Sequence, residues 1–265
     1  METLENMGTI ENTTSNKPIR NRDAKHRLSR LISCSLALGA GIALMIAAVS
    51  RFEAAVTGIR AQATFRAIQN GDASKISTGQ LDSAIASAQS SLRLVADPDV
   101  AAALGRLQLA GALAIGLNLD AGKKLLTESR AATRLALMLA PGLSFEWLQL
   151  SYVELLGPSG AKAAAGPLAM SLNTGRSIHT IIIRRLDLAF TIWNDLNPAT
   201  QSEVDEQTRI AMRTYPYWAA VLGQHFHRIL PMRRLLQDEP EALAEFDRRL
   251  LQIPPDGYHT VKTVK

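Results

Sequence analysis

The stretch Ala136–Leu156, ALMLAPGLSFEWLQLSYVELL, decides the fold. One apolar run with helical spacing stops at Pro141-Gly142, and another starts at Ser144. Proline lacks the amide hydrogen a helix needs and its ring crowds the preceding turn, so the first helix must end there. The next begins after only a few residues, and so short a connection makes the two helices antiparallel neighbours. Within this hairpin Ala136 lies five residues before Pro141, Trp147 and Leu150 follow in the second helix, and Ala163 falls in the helix after that. Small side chains at 136 and 163 let helices approach, while Trp147 and Leu150 fill the seam between them.

That spacing is the tetratricopeptide pattern, a helix–turn–helix repeat of 34 residues. A shift of one repeat toward the N-terminus lands on Leu113, a weaker match. Punctuation elsewhere also marks helix ends. Ser77-x-x-Gln80 reads as a capping box, Asp97-Pro98 and Asn197-Pro198 as N-caps followed by proline in the first turn, and Asp238-x-x-Glu241 as a looser box. Between these stops the periodicity predicts helices at about 52–69, 79–96, 99–117, 120–139, 144–156, 160–173, 177–196, 199–214, 216–229 and 240–251. In the 177–196 stretch, Ile178, Ile182, Leu186, Ala189, Trp193 and Leu196 form one stripe expected in the core, with Arg184, Asp187, Thr191 and Asp195 elsewhere on the cylinder. Gly105 and Gly111 lie inside a helix, where they permit close packing. Gly166-Pro167 is the exception and should break the helix after Ala165. The expected fold is all-α: one N-terminal membrane helix, then a tetratricopeptide-like solenoid of helical hairpins.

The membrane helix is read from Leu31–Val49, an uncharged stretch bounded by Arg30 and Arg51. At about 1.5 Å per residue it nearly matches a hydrocarbon core of about 30 Å. Lys17, Arg20, Arg22, Lys25, Arg27 and Arg30 precede it, against Arg51, Arg60 and Arg66 after it, so the N-terminal side is expected in the cytoplasm. A cleaved signal peptide has a shorter lead and a shorter apolar run, although Ala48-Val49-Ser50 resembles a cleavage site. Leu31-Ile32-Ser33-Cys34 resembles a lipobox but has no apolar run upstream of it. A buried core helix would show a polar face, and this segment has none. The division is therefore a disordered basic cytoplasmic tail (1–29), a signal anchor (30–50), a periplasmic helical domain (51–235) and a C-terminal helix and tail (236–265).

The net charge of +5 splits into +2 for residues 1–50 and +3 for the rest, without the dense basic stripe that nucleic acid demands. A single cysteine, Cys34, excludes an intramolecular disulfide framework and any cysteine-rich zinc module. Nucleotide loops, nucleophile elbows and zinc-protease helices have no matching motif. His225-x-His227 sets two imidazoles about 200° apart around a helix, too divergent for one ion. Glu203, Asp205 and Glu206 open a helix, where negative charge meets the positive end of the dipole. No catalytic residue, metal or cofactor is expected. Tyr215, Tyr217 and Trp218 cluster around Pro216 and suit either stacking on sugar rings or anchoring a partner, the alternative being a plug between hairpins.

The segments ALMLAPGLSFEWLQLSYVELL (136–156), PLAMSLNTG (167–175), RRLDLAFTIWNDL (184–196) and EVDEQTRIAM (203–212) occur in an order that resembles small, membrane-anchored, tetratricopeptide-like proteins of surface-polysaccharide loci in Gram-negative bacteria, the VpsP-like group among them. Pro141, Trp147, Ser171, Gly175, Arg185, Trp193, Gln207 and Arg209 carry the likeness, over about 80 residues. The resemblance implies a non-enzymatic scaffold or accessory factor for exopolysaccharide or O-antigen biosynthesis or export, working with envelope proteins at the inner membrane. Arg185, Gln207 and Arg209, which need not be core residues, join Tyr215, Tyr217 and Trp218 as candidate partner contacts. Pairing of Arg185 and Arg209 with the acidic 203–206 cluster is the alternative. An assembly factor for secretion, cytochrome maturation or cell-wall synthesis, or a direct glycan binder, are the competing functions.

Overall fold

The computed structural model describes residues 35–49, 51–53, 55–56, 59, 63–64 and 77–254, and among these the regular structure is all helix, joined by turns, with no strand. The tail at 1–29, Cys34, most of the helix expected at 52–69 and residues 255–265 lie outside the described residues. Two compact units divide the chain, Met1–Val49 and Ser50–Lys265.

In the first unit begins α1, Ser35–Glu53, with a mean hydropathy of 1.7 and no buried residue. Nineteen residues at about 1.5 Å each come close to the apolar thickness of a bilayer. Among the described residues it is the one helix long and apolar enough to cross a membrane.

The second unit contains α2 (Thr78–Leu94), α3 (Pro98–Ile115), α4 (Asp120–Leu139), α5 (Ser144–Leu156) and α6 (Gly160–Thr174), followed by α7 (Ile182–Thr191), α8 (Pro198–Thr214), α9 (Pro216–His225), α10 (Ile229–Leu235) and α11 (Pro240–Leu250). Three of the starts are those the caps dictate. Ser77 and Gln80 close a reciprocal capping box, Asp97 accepts from the amides of Asp99 and Val100, and Asn197 accepts from that of Thr200 at 2.8 Å. The box expected at Asp238 does not form: α11 starts at Pro240 without a side-chain cap.

From α2 to α6 each helix packs on its predecessor as in a row of hairpins, with α3 against α4 and α5 against α6 the closest pairs. Gly105 permits the first of these, because a Cβ there would meet Thr133 Oγ1 at 2.5 Å. Pro167 does not break α6, contrary to expectation. Pro167 and Ala163, the residue whose carbonyl it leaves without a donor, both line an open groove that water can enter, while Ala164, Leu168 and Leu172 on the opposite face hold the helix in the core.

After α6 the order changes. Helices α7, α8, α10 and α11 all pack against α9. The helix expected at 177–196 is α7 flanked by 3₁₀ turns at His179–Ile181 and Trp193–Asp195. Ile182, Leu186, Ala189 and Leu196 of its stripe are buried, whereas Ile178 is exposed. The helix expected at 216–229 divides at His227, whose φ of 54° is left-handed. The His227 amide donates to the Gln224 carbonyl at 3.3 Å and that of Arg228 to Gly223 at 2.8 Å, the pair of bonds that closes a Schellman motif. Phe246 of α11 is completely buried in the same cluster as Phe190 and Met212, so the C-terminal helix shares the domain's main core.

Candidate functional site

Arg185 is completely buried, the largest side chain so placed. Its Nε donates to Ser171 Oγ at 3.0 Å, and Nη1 to the Gly175 carbonyl at 2.8 Å and to Gln207 Oε1 at 3.4 Å. Nη2 donates to Ser144 Oγ and to the Ser171 carbonyl. The two serines also exchange bonds, each hydroxyl donating to the other's carbonyl at 2.8 Å. Gln207 completes the set through its Nε2, which donates to the Arg176 carbonyl at 2.9 Å. The carbonyls of Ser171 and Gly175 belong to the end of α6, where backbone acceptors lack helical donors and partial negative charge collects. Arg185 therefore caps α6 from inside the core, and this supplies the compensation its charge needs. Desolvation still pushes its pKa down to about 10.

Four of the residues that carry the sequence resemblance, Ser171, Gly175, Arg185 and Gln207, thus meet in one clasp across α5–α8. Gly175 is glycine for space, since a Cβ would overlap Ser144 and Ile178. Arg185 and Gln207, candidate partner contacts that need not be core residues, are both buried, and Arg185 forms no pair with the acidic 203–206 cluster.

Arg209 differs. Its Nε donates to the Leu235 carbonyl at 3.2 Å and Nη1 pairs with Glu206. It lines an open polar groove of about 800 Å³ with Arg176, His179, Glu203, Asp205 and Ile210. Arg176 pairs with Glu203 at 2.7 Å, leaving little charge uncompensated. Asp205 is pushed up from the ordinary carboxylate range by burial, against the pull of Arg228 and Arg209. Tyr215, Tyr217 and Trp218 are half-buried at the α8–α9 junction. Tyr217 and Trp218 meet edge to face at 5.0 Å between ring centres, while Tyr215 packs on the main core.

A second groove, about 920 Å³ and open, runs between α4, α5 and α6. Leu137, Met138, Pro141, Trp147, Leu150 and Pro167 give it apolar walls. Met138 is 74% exposed. Trp147 is held by its indole N–H, which donates to the Pro141 carbonyl at 2.8 Å, so Pro141 and Trp147 face this groove together. Arg130 and Arg134 on one side both pair with the buried Glu154, the second at 2.9 Å. Sequence reasoning passed over this trio. Two arginines four apart on one helix face were the available sign, because such a pair calls for a carboxylate across the interface.

Arg228 was also missed. Its guanidinium stacks on the Trp193 ring at 3.6 Å and on Phe190 at 5.0 Å. Among the described residues no three His, Cys, Asp or Glu side chains converge as a metal site. Comparison with protein-family models, curated proteins and solved structures finds no match.

Proposed function

We propose that the chain is a non-enzymatic scaffold or accessory factor of surface-polysaccharide assembly or export, anchored in the inner membrane by α1 with a periplasmic, tetratricopeptide-like domain. The open groove of α4–α6 carries the scaffold reading: exposed Met138 beside a fixed Trp147 is suited to gripping an apolar side of another protein. The N-terminal excess of Lys and Arg supports the orientation. The polysaccharide context rests on the sequence resemblance alone, since fold does not imply function.

The test is a pull-down of the full-length protein from detergent-solubilised membranes, read by mass spectrometry, for the wild type and Met138→Glu. Recovery of polysaccharide polymerase, ligase or export proteins, lost in the variant, is the expected result. Recovery of an unrelated envelope machine would discard the polysaccharide assignment, and equal recovery by the variant would discard the groove. The competing glycan-binding reading needs one of Tyr215, Tyr217 and Trp218 exposed in an open groove, and all three are half-buried; absence of glycan affinity in the wild type would end it.

A further inference from the structure

The turn between α3 and α4 presents an apolar tip to solvent. Leu113 is 54% exposed, Ile115 39% and Leu119 51%. Large apolar side chains left in solvent around one turn point to a contact made elsewhere, with protein or membrane. Its position selects between them. A Cβ on Gly111 near the end of α3 would touch Leu125 in α4 and Leu81 in the first turn of α2, so the tip and the start of α2 share one end of the stack. The chain arrives at that same end. Ala63 and Thr64 line a shallow pocket with Ser77, Gly79, Gln80 and Ser83, beside the first turns of α2. Only nine residues lie between Glu53, the last residue of α1, and Ala63, ten steps along the chain. That length spans about 15 Å if helical and about 35 Å if fully extended.

Exposed apolar side chains continue from the end of α1 into the connection: Phe52 in the last turn of α1, then Val56 and Ile59. Apolar side chains immediately after a membrane-spanning helix sit where headgroups give way to acyl chains. On the other flank of the tip, exposed Lys123 and Lys124 in the first turns of α4 pair with Asp120 at 3.2 Å and Glu128 at 3.9 Å, so this flank is polar and carries no net charge.

We propose that the α3–α4 tip docks into the bilayer surface, with Ile115 and Leu119 in the acyl boundary, giving the domain a second membrane contact. The inference rests on α1 being a membrane anchor.

The experiment uses full-length protein in nanodiscs of phosphatidylethanolamine and phosphatidylglycerol. In a Cys34→Ser background, single spin labels are placed by Ile115→Cys, Leu119→Cys, Leu44→Cys in α1, and Gly142→Cys at the opposite end of the stack. Relaxation by oxygen, which enters lipid, is compared with relaxation by a water-soluble nickel chelate. Labels at 115 and 119 are expected to show a higher oxygen-to-nickel ratio than the label at 142, approaching that at 44. A ratio at 115 and 119 equal to that at 142, with 44 still in lipid, would overturn the tip and leave the anchor. A water-exposed label at 44 would overturn the anchor first and the tip with it. Strong dipolar coupling between labels at 115 of two molecules would assign the tip to a second copy instead.

Discussion

The two halves of the helical domain are built on different economies of space. From α2 to α5 the apolar core is split into small clusters in which alanine dominates: Ala84, Ala88, Ala101, Ala102, Ala112, Ala132 and Ala136. Buried polar groups lie between them, including Glu146 paired with Arg106, and Glu154 paired with Arg130 and Arg134. Burial pushes the Arg106 pKa down to about 10, against the nearby charge of Asp99. From α7 to α11 one continuous cluster of Ile, Leu, Met and Phe surrounds α9 and reaches back into α5 and α6. Small side chains permit close helices but bury little apolar area each, so the stack depends on fit and directional bonds. The bundle depends on area, at about 25 cal/mol per Å².

The largest test falls on the clasp that joins them. Arg185→Ala leaves a cavity and takes the Arg185 donor from the Gly175 carbonyl and Gln207 Oε1, with Ser144 and Ser171 keeping only their mutual bonds, and should cost about 4 kcal/mol. Urea unfolding is expected to show this as a lowered midpoint, with Trp147 in the stack and Trp193 in the bundle no longer unfolding together. Loss of less than about 1 kcal/mol would mean that burial alone holds the halves. Next, Gly105→Val forces α3 from α4 and should cost about 2 kcal/mol. An unchanged midpoint would show that the stack is looser than its alanines imply.

The two smaller tests sharpen the description of the bundle. His227→Gly relieves a left-handed residue and should stabilise by about 1 kcal/mol, read as a raised melting temperature. Asp205→Asn tests electrostatics. Burial raises the carboxyl pKa despite Arg228 and Arg209, so the folded state binds this proton more tightly than the unfolded state does. The group's contribution to stability therefore grows as pH falls through its folded pKa, and its ionised form is a cost at neutral pH. The variant should melt higher at pH 7, the gap closing at low pH. A lower melting temperature at pH 7 would mean that the arginines outweigh burial.

These contrasts explain what was legible beforehand. Ser77, Asp97 and Asn197 act within three residues of themselves, and their helix starts could be read directly. Pro167 misled because its tolerance depends on a groove formed by two other helices. The break at His227 was hidden because left-handed backbone usually announces itself with glycine. Arg185 was within reach: it stands three residues after Ile182 and four before Ala189, on the buried stripe. What could not be read was its satisfaction, since Ser144 lies 41 residues upstream and Gln207 22 downstream. The residues of the resemblance proved informative about architecture, with Trp147, Pro141, Ser171, Gly175, Arg185 and Gln207 all in structural bonds.

The clasp has a consequence for the conditions under which the domain holds together. Arg185 is met by hydroxyls, an amide oxygen and backbone carbonyls, none of which takes up a proton in mild acid. Being buried, the bonds are also shielded from dissolved ions, which weaken exposed ion pairs such as Arg176–Glu203. Burial pulls the Arg185 pKa down only to about 10, so the guanidinium stays charged in mild acid. Acidification or brine would loosen the outer ion pairs while leaving the seam between stack and bundle closed.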